Sequence, residues 1–142
     1  MRVSRLLREM AAAEADLAGR LARLADEHSA DRDVSLVARD LAIWSQDHAA
    51  GLAERAGSRV PDTVDPPPVA DDPGATLLRD LREAYLAACG LATDWDVLGQ
   101  VAAARRDDEL AGLVGLCAPR NQRQVTWLRA KRKESAAQIV RR

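Results

Sequence analysis

Hydrophobic residues recur along this chain at alternating steps of three and four, the spacing of one helix face packed against its neighbours. The first series reads Val3, Leu7, Met10, Glu14, Leu17, Leu21, Leu24 and predicts a helix over 3–28. Glu14 is its single interruption. The second reads Val34, Val37, Leu41, Trp44, His48, then Leu52 one step off register, and predicts a helix over 34–56. Here the interruption is His48. Residues 29–33 between them are polar and rich in capping types, and so short a turn makes the two helices antiparallel neighbours. Glu14 and His48 stand at similar distances from that turn. At ~1.5 Å of rise per residue their heights differ by about one turn or less. The hairpin therefore sets a carboxylate against an imidazole on a seam that is otherwise apolar.

Residues 57–74 break the pattern. They hold Pro61, Pro66, Pro67, Pro68 and Pro73 among Asp62, Asp65, Asp71 and Asp72. Consecutive prolines favour an extended polyproline II path, and a segment of this length either crosses a bundle from end to end or loops over its surface. The periodicity resumes at Leu77, Leu81, Ala84, Ala88, Leu91, Trp95, Leu98 and Ala102, predicting a third helix from about residue 75. Gly90 and Thr93 are expected to bend or split it, since Thr93 has the chemistry of a new cap. After a polar turn at 105–108, a fourth helix over 109–140 carries Leu110, Val114, Cys117, Asn121, Gln124 and Leu128 on its seam. Pro119 lies inside it, and a kink or restart is expected there. Asn121 and Gln124 interrupt this seam about midway, as Glu14 and His48 interrupt theirs. Tyr85 and Asp94 lie close to the third seam and could join them. Polar groups buried without partners cost about 1–3 kcal/mol each, so Glu14, His48, Asn121, Gln124 and Tyr85 are expected to form one hydrogen-bonded network.

Length and composition agree with a single helical domain. The chain has 142 residues, 47% of them hydrophobic and 30% charged, with no Phe and only 3% aromatics. Such a palette of small and aliphatic side chains suits closely packed helices, and no alternating β-branched run suggests strands. The net charge of −1 supplies no global attraction to nucleic acid or membrane. A local basic patch of Arg123, Arg129, Lys131, Arg132 and Lys133 sits in the last helix, where cations complement the helix dipole and could also meet phosphate. Cys89 and Cys117 fall at heights on the order of 12 Å apart, too far for a disulfide, whose Cα atoms lie within about 7 Å. Reduced thiols and no run near the ~18 apolar residues of a membrane span give the expectation of a cytoplasmic protein. His28 continues the first series at the turn and reads as a helix-end residue. Two histidines in all cannot build a three-His zinc or hemerythrin-like site. Trp44, Trp95 and Trp127 read as packing residues.

Four helices with a long connection between the second and third resemble the ferritin-like superfamily. That resemblance implies an all-α, antiparallel four-helix bundle, built as two helical hairpins joined by the long Pro-rich connection. It also implies a di-metal site in the bundle core, with a Glu from each of two helices and a Glu-x-x-His pair from each of the other two. Glu14 matches the single Glu of the first helix. Ser45-x-x-His48 keeps the second-helix His and loses its acid. Asn121-x-x-Gln124 keeps the fourth-helix spacing and loses both ligands. Leu91 stands near the expected height in the third helix, with Asp94 a turn away. Two iron or manganese ions need several carboxylates, and this pattern lacks them. The expectation is a non-catalytic bundle with a decayed metal site and no cofactor, acting as a structural or protein-interaction module and dimerising through an Ala-rich face. Two readings compete with it. One is a metal-binding oxidoreductase or metal-handling protein holding Fe, Mn or Zn through Glu14, His48 and Asp94. The other is a nucleic-acid accessory protein using the basic fourth helix.

Overall fold

The structure is a computed structural model that describes residues 2–62 and 72–141. All of its regular structure is helical: α1 (Val3–Glu27), α2 (Arg32–Ala56), α3 (Pro73–Arg105) and α4 (Asp108–Arg141). Three of the four helices are capped by an aspartate. Asp31 accepts from the Val34 amide at 3.1 Å, and α2 therefore begins at Arg32, two residues before its apolar pattern. Asp72 accepts from the Gly74 and Ala75 amides at 3.0 and 3.2 Å, with Pro73 at the first helical position, where its missing N–H costs nothing. Asp107 accepts from the Leu110 amide at 3.0 Å.

The expected break in α3 does not occur. Thr93 Oγ1 donates to the Gly90 carbonyl at 2.8 Å, so its hydroxyl bonds back onto its own helix instead of capping a new one. Nor does α4 restart at Pro119. Pro119 and Gly115, whose carbonyl loses its usual donor there, are both on the exposed side, where water can replace the missing bond. The polyproline II expectation for Pro66, Pro67 and Pro68 lies outside the described residues.

The helices form a ring in which α1 touches α2 and α3, and α4 touches the same two. One end of the ring gathers the α1–α2 turn, the start of α3 and the end of α4. His28 meets Asp80 there, Lys131 meets Asp31 and Asp33, and Gly74 lies against Ile139. The other end gathers Arg55 of α2 and Asp107 at the start of α4, which are hydrogen-bonded. Close by, Gly51 meets α4 so tightly that a Cβ would fall 2.9 Å from Leu113 Cδ1. Ala56 and Pro73 therefore lie at opposite ends. Leu17, Leu21, Leu52, Leu81, Leu98 and Leu128 fill the core with almost no exposed surface. Alanines are buried along both α1 (Ala11, Ala15, Ala18, Ala25) and α2 (Ala38, Ala42, Ala49, Ala53), and these two helices are the most closely packed pair. Among the described residues, no helix is long and apolar enough to cross a membrane.

Candidate functional site

Glu14 occupies a core position of α1, 0% exposed, because its helical register leaves it nowhere else to point. Ser45 and His48 stand one turn apart on α2, exposed by 0% and 1%. His48 Nδ1 lies 2.5 Å from Glu14 Oε2, a short, charge-assisted contact. The second carboxylate oxygen, Oε1, receives the Ser45 hydroxyl at 3.5 Å. Ser45 is in turn reached from α4, where Gln124 Nε2 donates to Ser45 Oγ at 2.8 Å and to the Leu41 carbonyl at 3.0 Å. From α3, the Trp95 ring meets His48 edge-on, with centroids 5.9 Å apart and planes at 81°. All four helices thus close on the pair. Asn121 takes a separate path and donates from Nδ2 to the Ala88 carbonyl at 3.1 Å, joining α4 to α3.

Burial dominates the electrostatics. Desolvation pushes the Glu14 carboxyl above its ordinary pKa, against the opposing pull of the His48 hydrogen bond and charge and of the Ser45 hydroxyl. Nearby, burial and the Glu14 charge push the Cys117 thiol up to about 12, which leaves it a neutral packing residue. Cys89 and Cys117 are both free. His48 Nε2, Trp95 Nε1 and Gln124 Oε1 are buried without a hydrogen-bond partner.

Glu14, His48 and Gln124 thus share one network, while Asn121 lies beside it. Tyr85 does not face it. This side chain is half-buried near Cys89 and Arg129, in a surface groove between α3 and α4, where the Cys89 hydrogen bond and charge raise its phenol pKa. Asp94 is half-buried and interacts with Glu9 of α1. Its carboxyl is raised by desolvation and then by the Glu9 charge. In the basic patch, Arg123, Arg129, Arg132 and Lys133 are exposed, but Lys131 is withdrawn. Its side chain is 3% exposed, and Nζ lies 3.2 Å from Asp31, 3.2 Å from Asp33 and 3.6 Å from Glu134. Continuing the α4 seam past Leu128 by three and then four residues lands on Lys131 and Ser135, both buried. That periodic signal was available in the sequence. The carboxylates that neutralise Lys131 come from the α1–α2 turn, which no spacing within α4 reveals. Trp44 carries Arg120 over its ring at 5.6 Å, and Trp127 lies half-buried beside Pro119 and Arg123.

The donor set does not fit a two-metal centre. It offers one carboxylate and one imidazole, already bonded to each other, and the neighbouring positions supply an amide and a hydroxyl. Among the described residues, the one grouping of three metal-ligating side chains lies elsewhere, at Glu27, His28 and Asp80. Among the described residues, Glu14 and His48 present almost no surface to solvent. What the arrangement can do is hold the helices in one register, since the Glu14–His48, Ser45–Glu14 and Gln124–Ser45 bonds form only when α1, α2 and α4 are in place together. Comparisons with family models, with curated proteins and with solved structures each find no match for this chain.

Proposed function

We propose that this chain is a non-catalytic, ferritin-like antiparallel bundle whose core metal position has become a hydrogen-bonded lock, and that it serves as a structural or protein-interaction module. The observation that carries this reading is the Gln124 amide, which bridges the Leu41 carbonyl and Ser45 where a metal-binding bundle would present an acid or imidazole. The ferritin-like part is supported by the ring order α1–α2–α4–α3 and by the placement of Ala56 and Pro73 at opposite ends. The interaction part is supported by exposed aliphatic side chains. Leu36 and Ile43 are 59% and 49% exposed, one heptad apart on α2. The alanine stripes of α1 and α2 are buried within the bundle, so a second copy would have to use another surface, such as this one.

Two measurements test the reading. After incubation with Fe²⁺ or Mn²⁺ and desalting, the His28→Gln variant, which keeps the core intact, should retain less than about a tenth of an equivalent and show no iron oxidation above buffer. Stoichiometric retention that is lost on Glu14→Gln would overturn it. Light scattering of the intact protein and of a Leu36→Glu, Ile43→Glu variant then shows whether this surface joins copies of the chain.

A further inference from the structure

A second polar cluster lies at the far end of α1. Glu27 closes that helix, His28 caps it, and Asp80 faces both from α3. Their donor atoms all lie within 4.8 Å of one another, and His28 Nε2 stands 2.8 Å from Asp80 Oδ2. The backbone fixes His28: its amide donates to the Leu24 carbonyl at 3.1 Å, and its carbonyl accepts from the Asp31 amide at 3.0 Å. Arginines hold the outer oxygens. Arg79 reaches Asp80 Oδ1 at 3.2 Å and Arg23 approaches Glu27 Oε1 at 3.7 Å, so each carboxylate is steadied from behind. The C-terminal end of α1 adds a partial negative charge. His28 and Asp80 are nearly buried, with side chains 9% and 10% exposed, while Glu27 faces solvent.

Beside this cluster opens a cleft of about 540 Å³, lined by Glu27, His28, Asp31, Lys131 and Ser135 among others. Ser135 is 1% exposed, and its hydroxyl has no hydrogen-bond partner, an orphaned polar group in the cleft wall.

We propose that Glu27, His28 and Asp80 form a binding site for a zinc-class divalent cation, with a fourth coordination position open toward the cleft. The inference goes beyond the core reading and does not rest on it. One imidazole and two carboxylates is a zinc-type donor set with three protein ligands, and the nitrogen donor favours a transition metal over Mg²⁺ or Ca²⁺. Tetrahedral Zn²⁺ with bonds of about 2.0–2.2 Å places its ligand atoms ~3.3 Å apart. His28 Nε2 and Asp80 Oδ2, now 2.8 Å apart, have to open by about half an ångström, and Glu27, within 4.8 Å of both, has to close toward the same spacing. The two carboxylates oppose the ion's charge through the oxygens that Arg79 and Arg23 leave free, and the imidazole supplies the nitrogen donor. His28 is also the only reachable histidine, because His48 is sealed in the core.

Calorimetric titration of the full chain with Zn²⁺, and visible absorption with Co²⁺ as the probe, test the proposal. One ion per chain is expected, with Co²⁺ giving the intense d–d bands of four-coordination. His28→Gln should abolish binding. Glu27→Gln, at an exposed position that the fold does not need, should weaken it at least about tenfold, with far-UV circular dichroism unchanged. Glu14→Gln should bind as the wild type does, which separates this site from the core. Zn²⁺ should raise the melting temperature of the wild type and leave that of His28→Gln unmoved. Absence of saturable binding at 100 µM Zn²⁺, or equal affinity in wild type, His28→Gln and Glu27→Gln, overturns it.

Discussion

Replacing His48 by alanine should cost far more stability than replacing Glu14 by glutamine, although the two side chains share one hydrogen bond. In Glu14→Gln the amide is isosteric. Its oxygen can accept from His48 Nδ1, as Oε2 does at 2.5 Å, and its NH₂ can donate to Ser45 Oγ in place of the 3.5 Å contact. A desolvated charge is removed and a charge-assisted bond becomes a neutral one, two changes that oppose each other. The net effect should lie within about 1 kcal/mol of zero. His48→Ala removes a ring that is 1% exposed, loses the edge contact with Trp95 and leaves the Glu14 carboxyl without its main partner. Cavity and unpaired buried charge together should cost about 3–5 kcal/mol at pH 7, or a melting temperature lower by roughly 10 °C or more in a chain of this size. The double variant should be less destabilised than the simple sum, because the amide tolerates isolation better than a carboxylate.

The pH dependence carries a definite sign. Burial raises the folded-state pKa of Glu14 above 4.5, so its contribution to stability is complete below pH 4.5 and is lost as pH rises through the folded value. The amide variant does not titrate there, and its stability relative to wild type should improve across that window. The cost of His48→Ala should shrink in acid, where Glu14 is protonated. Urea unfolding of the four proteins at pH 4 and pH 7 measures all of this. Equal losses for the two single variants, or a Glu14→Gln variant that falls behind wild type as pH rises, would refute the reasoning.

Lys131→Met should cost about 1–2 kcal/mol near neutrality by stranding Asp31 and Asp33 around an apolar stem, discounted because both acids are partly exposed. Desolvation raises the Asp31 pKa, but the Val34 amide and Lys131 outweigh it and hold the carboxyl below 3.8. That contribution is present above pH 3.8 and is lost as pH falls through the folded value. Burial likewise opposes the Lys131 charge, but Asp33 and Asp31 raise its pKa above 10.5, so its contribution is lost as pH rises beyond that. The cost of the substitution should therefore vanish at both extremes, as thermal melts across pH would show. With Cys117 raised to about 12 and buried, iodoacetamide at pH 8 should modify half-buried Cys89 alone in the native protein and both thiols in urea. Equal native labelling rates by mass spectrometry would show that the packing of α4 against its neighbours does not seal Cys117.

Periodicity alone determined that this chain is four helices, and it placed Glu14, His48, Asn121 and Gln124 at interior positions, because a 3.6-residue turn leaves a seam residue only one side of the helix to occupy. It also contained the burial of Lys131 and Ser135, three and seven residues beyond Leu128, and the reading of His28 as a helix-end residue, although α1 itself stops at Glu27 and His28 is its cap. Pairings across the ring were not legible there. Tyr85 and Asp94 lie on the flanks of the α3 seam, and which neighbour each meets depends on the rotation of α3 against α1 and α4. Asp80 meets His28, and Asp31 and Asp33 meet Lys131, only because the start of α3 and the end of α4 arrive at the α1–α2 turn. A helical period specifies which side chains turn inward. Partners more than fifty residues away are decided by how four helices close on one another, which hydrophobic spacing within any single helix does not encode.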